Sequence, residues 1–109
     1  MWGSGAVPAR ADRYGRGMPT PYQALFYEYV ENALEARAPH RDAHLALIEQ
    51  YAGDGRIAMA GALGDPPHGG LLVFTGDDPT LPERFASEDP YVANGVVTDW
   101  RVEPWTVVT

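Results

Sequence analysis

The 109-residue chain contains no cysteine and no lysine. The first absence removes thiol nucleophiles, disulfides and cysteine-based zinc sites. The second removes Schiff-base amines and the phosphate-gripping lysine of Walker-type loops. Serine occurs only at Ser4 and Ser87, and neither stands in the Gly-x-Ser-x-Gly setting of a nucleophile elbow. No run approaches the ~18 apolar residues of a membrane-spanning helix. No apolar stretch follows the early arginines as a signal peptide requires, and no repeat recurs at a solenoid period. Positive charge is scarce: 8 basic residues, all arginine, face 15 acidic ones, for a net charge of −7. So acidic a surface is a poor partner for nucleic acid or anionic lipid. The chain is therefore expected to be cytoplasmic, with no nucleic-acid and no membrane partner. Proton chemistry is left to His40, His44, His68, the carboxylates and the tyrosines.

Two regions differ in composition. Residues 1–21 are rich in glycine and proline, carry three arginines against one aspartate, and lack both strand and helix periodicity. They are expected to form a flexible N-terminal extension. Residues 22–109 carry the patterned remainder, one domain. Within it, Gln23 to Val30 is aromatic and β-favouring, with apolar residues on both parities. A helix is expected from near Pro39 to Ala52, with Leu45, Ile48 and Ala52 as its apolar stripe, flanked by His44, Leu47 and Tyr51. Ile57 to Ala62 and Leu71 to Thr75 read as strands around a proline- and glycine-rich hairpin loop. Thr80 to Glu83 reads as a capping box opening a second helix that runs to about Glu88. Asp89-Pro90 reads as the cap and first residue of a further short helix ended by Asn94-Gly95. Val96 to Val102 is a fourth strand, interrupted at Pro104 and followed by an extended tail or short fifth strand.

The order βαββαβ is the split-βαβ pattern, an α+β ferredoxin-like fold: an antiparallel sheet with helices on one face. The first and third strands are apolar on their second face as well. A domain this small cannot cover that face alone, so a homodimer joined sheet to sheet is expected.

Several short segments carry a family resemblance. Arg37-Ala-Pro-His-Arg-Asp-Ala-His-Leu-Ala-Leu47 resembles the Arg-x-x-His-Leu signature of the YCII-related (YciI-like) family. The resemblance continues at Ala60-Gly-Ala-Leu63, Gly70-Leu-Leu-Val-Phe74, Glu88-Asp-Pro-Tyr-Val92 with Gly95, and Val102-Glu-Pro-Trp105. Each segment is weak alone, but in this order and spacing they cover roughly residues 22–109. The resemblance implies a dimeric α/β barrel of two ferredoxin-like subunits. It also implies a histidine–aspartate pair at the centre, here His44 and Asp89. One branch of the family removes hydrogen chloride from a chlorinated hydroquinone without metal or organic cofactor, so no cofactor is expected. A fold of this kind specifies architecture more closely than reaction.

The residues can be weighed beside that resemblance. His44 flanks an apolar stripe, which suits a packed histidine as well as a proton carrier; the resemblance favours the proton carrier, with Asp89 as orienting acceptor. Asp89 before Pro90 suits ordinary capping, yet one carboxylate has acceptor sites enough to cap a helix and hold an imidazole together. Arg41, three residues before His44, suits either a surface ion pair or an anionic or phenolate group of a small-molecule ligand. Tyr27 and Tyr29 point the same way on the first strand, towards core or pocket. His40 and His44 are four apart, a zinc-compatible spacing. Arg41 stands where a metalloprotease motif needs glutamate, so no metal is expected and His40 is placed with the substrate-binding residues. His68 is expected on the surface, and Trp100 and Trp105 in the core or the dimer contact. With no covalent nucleophile, the favoured chemistry is elimination, isomerisation or cyclisation of a small aromatic or enolisable substrate. The alternative is a non-catalytic small-molecule binding or accessory protein with the same dimeric fold.

Overall fold

The computed structural model describes residues 19–109. Strand β1 (Thr20–Tyr29) leads to a short helix α1 (Ala33–Arg37), a 3-10 turn over Ala38–His40, and helix α2 (Arg41–Gly53). Strands β2 (Ile57–Leu63) and β3 (Gly69–Thr75) form a hairpin; helices α3 (Thr80–Glu88) and α4 (Pro90–Ala93) and strand β4 (Val97–Val107) complete the domain. The sheet order is β2-β3-β1-β4 with every neighbour antiparallel. This is the expected ferredoxin-like α+β arrangement, with β1 and β3 central. Among the described residues no helix is long and apolar enough to cross a membrane.

One sheet face supplies the core. Leu25 and Tyr27 of β1 and Leu72 and Phe74 of β3 pack against Tyr51, Phe85, Ala86, Tyr91 and Val96. The rings of Tyr51, Phe74 and Phe85 meet edge to face with centroids 5.1 to 6.2 Å apart, the arrangement aromatic quadrupoles favour.

Helix α2 is turned from the expected stripe. His44 and Tyr51 are its buried residues, with Leu47 and Ile48 half-buried, while Leu45 and Ala52 are exposed. Each buried ring brings a polar tip that finds a partner: Tyr51 donates to Glu88 Oε1 at 2.7 Å, and His44 meets Asp89. A satisfied tip lets a large ring be buried at little cost, and a ring fills more core than Ala52 could.

Other boundaries differ too. The capping box at Thr80 does not form: Asp78 Oδ1 accepts from both the Thr80 amide at 2.9 Å and its hydroxyl at 2.7 Å, and Thr80 is already helical. The aspartate two residues upstream outcompetes the hydroxyl as acceptor because it is ionised. The fourth strand is not broken at Pro104. It runs on to Val107, with Pro104 opposite Gln23. Because β4 is an edge strand, a missing N–H on its outer side costs the sheet nothing. Thr20 and Pro21, expected in the extension, pair with Val107 and Thr106; the rest of that expected extension lies outside the described residues.

The helix-free face carries Ala24 and Phe26 of β1, Leu71 and Val73 of β3, Met59 of β2 and Trp105 of β4. Met59 is 65% exposed and Trp105 45% exposed, while Ala24 and Val73 are buried. This face is apolar across β1, β2 and β3, while β4 adds Trp105 and the Arg101–Glu103 ion pair, with the Arg101 guanidinium over the Phe26 ring.

Backbones approach closely where β3 begins. A Cβ added at Gly69 would run into the Tyr27 carbonyl oxygen across the ladder. Gly69→Ala should therefore force the two central strands apart, lowering stability by about 1–3 kcal/mol. A clear fall in the urea midpoint checks this.

Candidate active site

The local sequence places Asp89 at a break between helices. Proline at 90 disfavours a helical conformation at 89. Asp89 is accordingly extended (φ −77°, ψ 122°), ending α3 and capping α4. Its side chain is fully buried. A buried carboxylate needs donors in place of water, and three elements supply them. The Tyr91 amide donates to Oδ1 at 3.0 Å, and the Tyr27 hydroxyl donates to Oδ2 at 2.6 Å. His44 Nδ1 lies 2.9 Å from Oδ1 and 3.0 Å from Oδ2. The carboxylate thus caps a helix and holds an imidazole at once.

His44 is 6% exposed. Its ring lies flat on Tyr91, with centroids 3.7 Å apart and planes 5° from parallel. An ionised carboxylate accepts only, so a neutral His44 carries its proton on Nδ1 and a lone pair on Nε2. Nε2 makes no hydrogen bond among the described residues and is not sealed from solvent. It belongs to a cleft of about 240 Å³ between α2 and the β2 edge, lined by Tyr29, Arg37, Arg41, His44, Leu45, Ile48, Ala60, Gly61, Ala62, Leu72 and Tyr91. The floor is apolar or small; the polar tips are two guanidiniums, two phenols and the imidazole.

The phenols stay protonated. Burial, the nearby Tyr91 and Asp89 push the Tyr29 hydroxyl up to about 12 against the pull of Arg37. Burial raises Tyr91 as well, opposed by Arg37 and Arg41. Burial and then the Asp89 charge raise Tyr27 strongly, which keeps it a donor to that carboxylate.

The structure brings together four of the six residues singled out from sequence: His44 and Asp89 pair, and Arg41 and Tyr29 line the cleft beside them. Tyr27 does not line it. Its hydroxyl is spent on Asp89 beneath the imidazole, so it supports the pair from below. His40 is not among the lining residues either. It closes a 3-10 turn, whose tighter winding takes the side chain off the face that His44 occupies. Arg37 and Tyr91 were not singled out. Their signals were present: Arg37 is four residues before Arg41, and Tyr91 follows the Asp-Pro break. A larger, open hollow of about 520 Å³ lies beside Glu28, His68, Asp99 and Trp100, where no side-chain hydrogen bond joins His68 to either carboxylate. Among the described residues no three histidine, aspartate or glutamate side chains gather as a metal-holding group.

The family model of the YCII-related domain matches residues 22–106. The chain belongs to the YCII-related family. It is 32% identical over 96 residues to an uncharacterized protein of Haemophilus influenzae, an alignment spanning 80% of this chain and 98% of that one. Among solved structures it resembles 5-chloro-2-hydroxyhydroquinone dehydrochlorinase from Burkholderia phenoliruptrix, in complex with 2,5-dihydroxybenzoquinone. That likeness has a TM-score of 0.65 at 21% identity and covers 77% of this chain and 92% of the other. At that identity it is a likeness of fold alone.

The raised Tyr29 sets a pH dependence. The unfolded chain releases this proton near the ordinary value of 10.0, the folded chain only near 12. Its contribution to stability is therefore full below about pH 10 and is lost as pH rises towards 12. Tyr29→Phe should flatten the decline of the urea midpoint over that window. An unchanged slope would show that the hydroxyl titrates freely in the folded protein.

Proposed function

We propose that the protein is a small-molecule enzyme in which His44 Nε2 takes or gives a proton in the cleft. Asp89 orients the ring through Nδ1. Arg41 and Tyr29 position the substrate, and the Tyr29 hydroxyl meets negative charge as it develops on an oxygen. The observation that carries this reading is the locked imidazole. Nδ1 is tied to a fully buried carboxylate, the ring is clamped on Tyr91, and Nε2 is left to the cleft. A histidine that only packed would not need so buried a charge beside it. The chemistry that fits is elimination, isomerisation or cyclisation of a small aromatic or enolisable compound. The reading calls on no organic cofactor, since the proton carrier is a side chain. General acid–base catalysis of this kind supplies about 10²–10⁴-fold.

The test has two parts. Nitrogen NMR of His44 should find the neutral ring protonated at Nδ1. Turnover should be sought on chlorinated hydroquinones, followed by chloride release, and on enolisable ketones, followed by deuterium uptake. His44→Gln and Asp89→Asn should each lower a detected rate by about 10²–10⁴-fold. Binding of these compounds without turnover, and unchanged in His44→Gln, would instead favour a binding protein.

The partner in this reading is a second copy. The apolar helix-free face, with Met59 and Trp105 standing out of it, suits a sheet-to-sheet homodimer. Such an interface buries roughly 2,000 Å² or more. Light scattering at micromolar concentration should give twice the chain mass of 11.9 kDa; a monomer would refute the dimer.

A further inference from the structure

Arg37 and Arg41 stand out on electrostatic grounds. They are four residues apart on a continuous helical run, α1 through the 3-10 turn into α2, and both line the His44 cleft. Like charges at this spacing repel. The chain carries 15 acidic residues against 8 basic ones, so carboxylate partners are plentiful. Two of the three other described arginines find them, and Arg84 does not: Arg56 pairs with Asp54 at 2.8 Å and Arg101 with Glu103 at 2.7 Å. Neither Arg37 nor Arg41 makes a hydrogen bond or ion pair among the described residues. The carboxylate of the cleft region, Asp89, is fully buried and already holds three donors. Two adjacent, unpaired guanidiniums at the mouth of a cleft hold a place for an anion that arrives with the ligand.

We propose that Arg37 and Arg41 form a two-guanidinium clamp for the carboxylate of a single-ring or similarly small substrate, which the clamp anchors with its reacting carbon or hydroxyl towards His44 Nε2. The inference rests on the acid–base reading of His44 and names the class of substrate for it. Three features favour a carboxylate. The cleft, at about 240 Å³, falls below the ~300–1,000 Å³ of sites for larger ligands. Its body is apolar, with Leu45, Ile48 and Leu72 facing the ring. Its donors are planar guanidinium forks and phenols, which match the two oxygens of a carboxylate. Phosphate sites, in contrast, commonly use a cradle of backbone amides. The remaining charged or titratable groups at the cleft are Tyr29 and Tyr91, both protonated near neutrality, and His44 itself.

The experiment is calorimetric titration of the full chain with 2,5-dihydroxybenzoate, with uncharged hydroquinone and with inorganic phosphate. The carboxylate compound should bind at least about tenfold more tightly than hydroquinone. Arg37→Gln and Arg41→Gln should each weaken its binding about tenfold while leaving hydroquinone unaffected, with the thermal midpoint unchanged or raised by relief of the repulsion. His44→Gln should keep carboxylate binding within a few-fold. Retained binding alongside undiminished turnover in that variant would sink the acid–base reading and leave the clamp standing. The clamp is overturned by equal affinity for hydroquinone, by phosphate binding more tightly, by no measurable carboxylate binding at millimolar concentration, or by arginine variants that bind normally. A fall in the thermal midpoint of Arg37→Gln would likewise assign that residue to structure and overturn it.

Discussion

A carboxylate taken wholly out of water must be met by donors on every side, and Asp89 draws them from β1, α2 and α4. Desolvating such a charge costs several kcal/mol before any pairing. The fold is arranged to meet that cost. Proline at 90 breaks the helix and exposes the Tyr91 amide to the side chain. The antiparallel register brings Tyr27 opposite Gly70, where its long ring reaches under the break. Helix α2 turns His44 inward rather than Leu45. Removing any one donor leaves the charge short of partners, so the interaction that shapes the candidate site also closes the middle of the domain.

The charge distribution has two scales. The chain as a whole is acidic, yet the cleft beside His44 presents two guanidiniums without carboxylate partners among the described residues. Salt screens distant charges beyond ~8 Å at physiological ionic strength. Within that distance the local pair outweighs the global sign. Arg37 also acts on both neighbouring phenols, opposing the effect of burial on Tyr29 and Tyr91. The cleft is thus cationic and rich in neutral donors while remaining apolar in its floor.

Much of the fold was legible because it rests on local patterns. Strand and helix order follow from aromatic runs, proline placement and the glycines of the turns, and the two-sided apolar character of β1 and β3 is visible in their alternation. What the residues alone hid was set by tertiary partners. The rotation of α2 depends on Glu88 and Asp89, more than thirty residues away in sequence, which make the tips of Tyr51 and His44 tolerable inside. Pro104 reads as an interruption until β4 is known to be an edge strand. The His44–Asp89 pairing was legible through the family resemblance, since forty-five residues separate the two. Tyr27 and Tyr29 look equivalent in sequence, both pointing to one face; only the depth of Asp89 separates a support beneath the pair from a wall of the cleft.

Gly70 stands in mid-sheet with no positive φ to explain it. A Cβ built there would meet the Tyr29 hydroxyl at 3.0 Å. Its missing side chain is the socket for a neighbour's hydroxyl, so the vacancy at one position defines how far the phenol at another can retract from the cleft. Residue 70 therefore acts as a bore gauge for the cleft: the width along that wall is written in a residue that is not among those lining it.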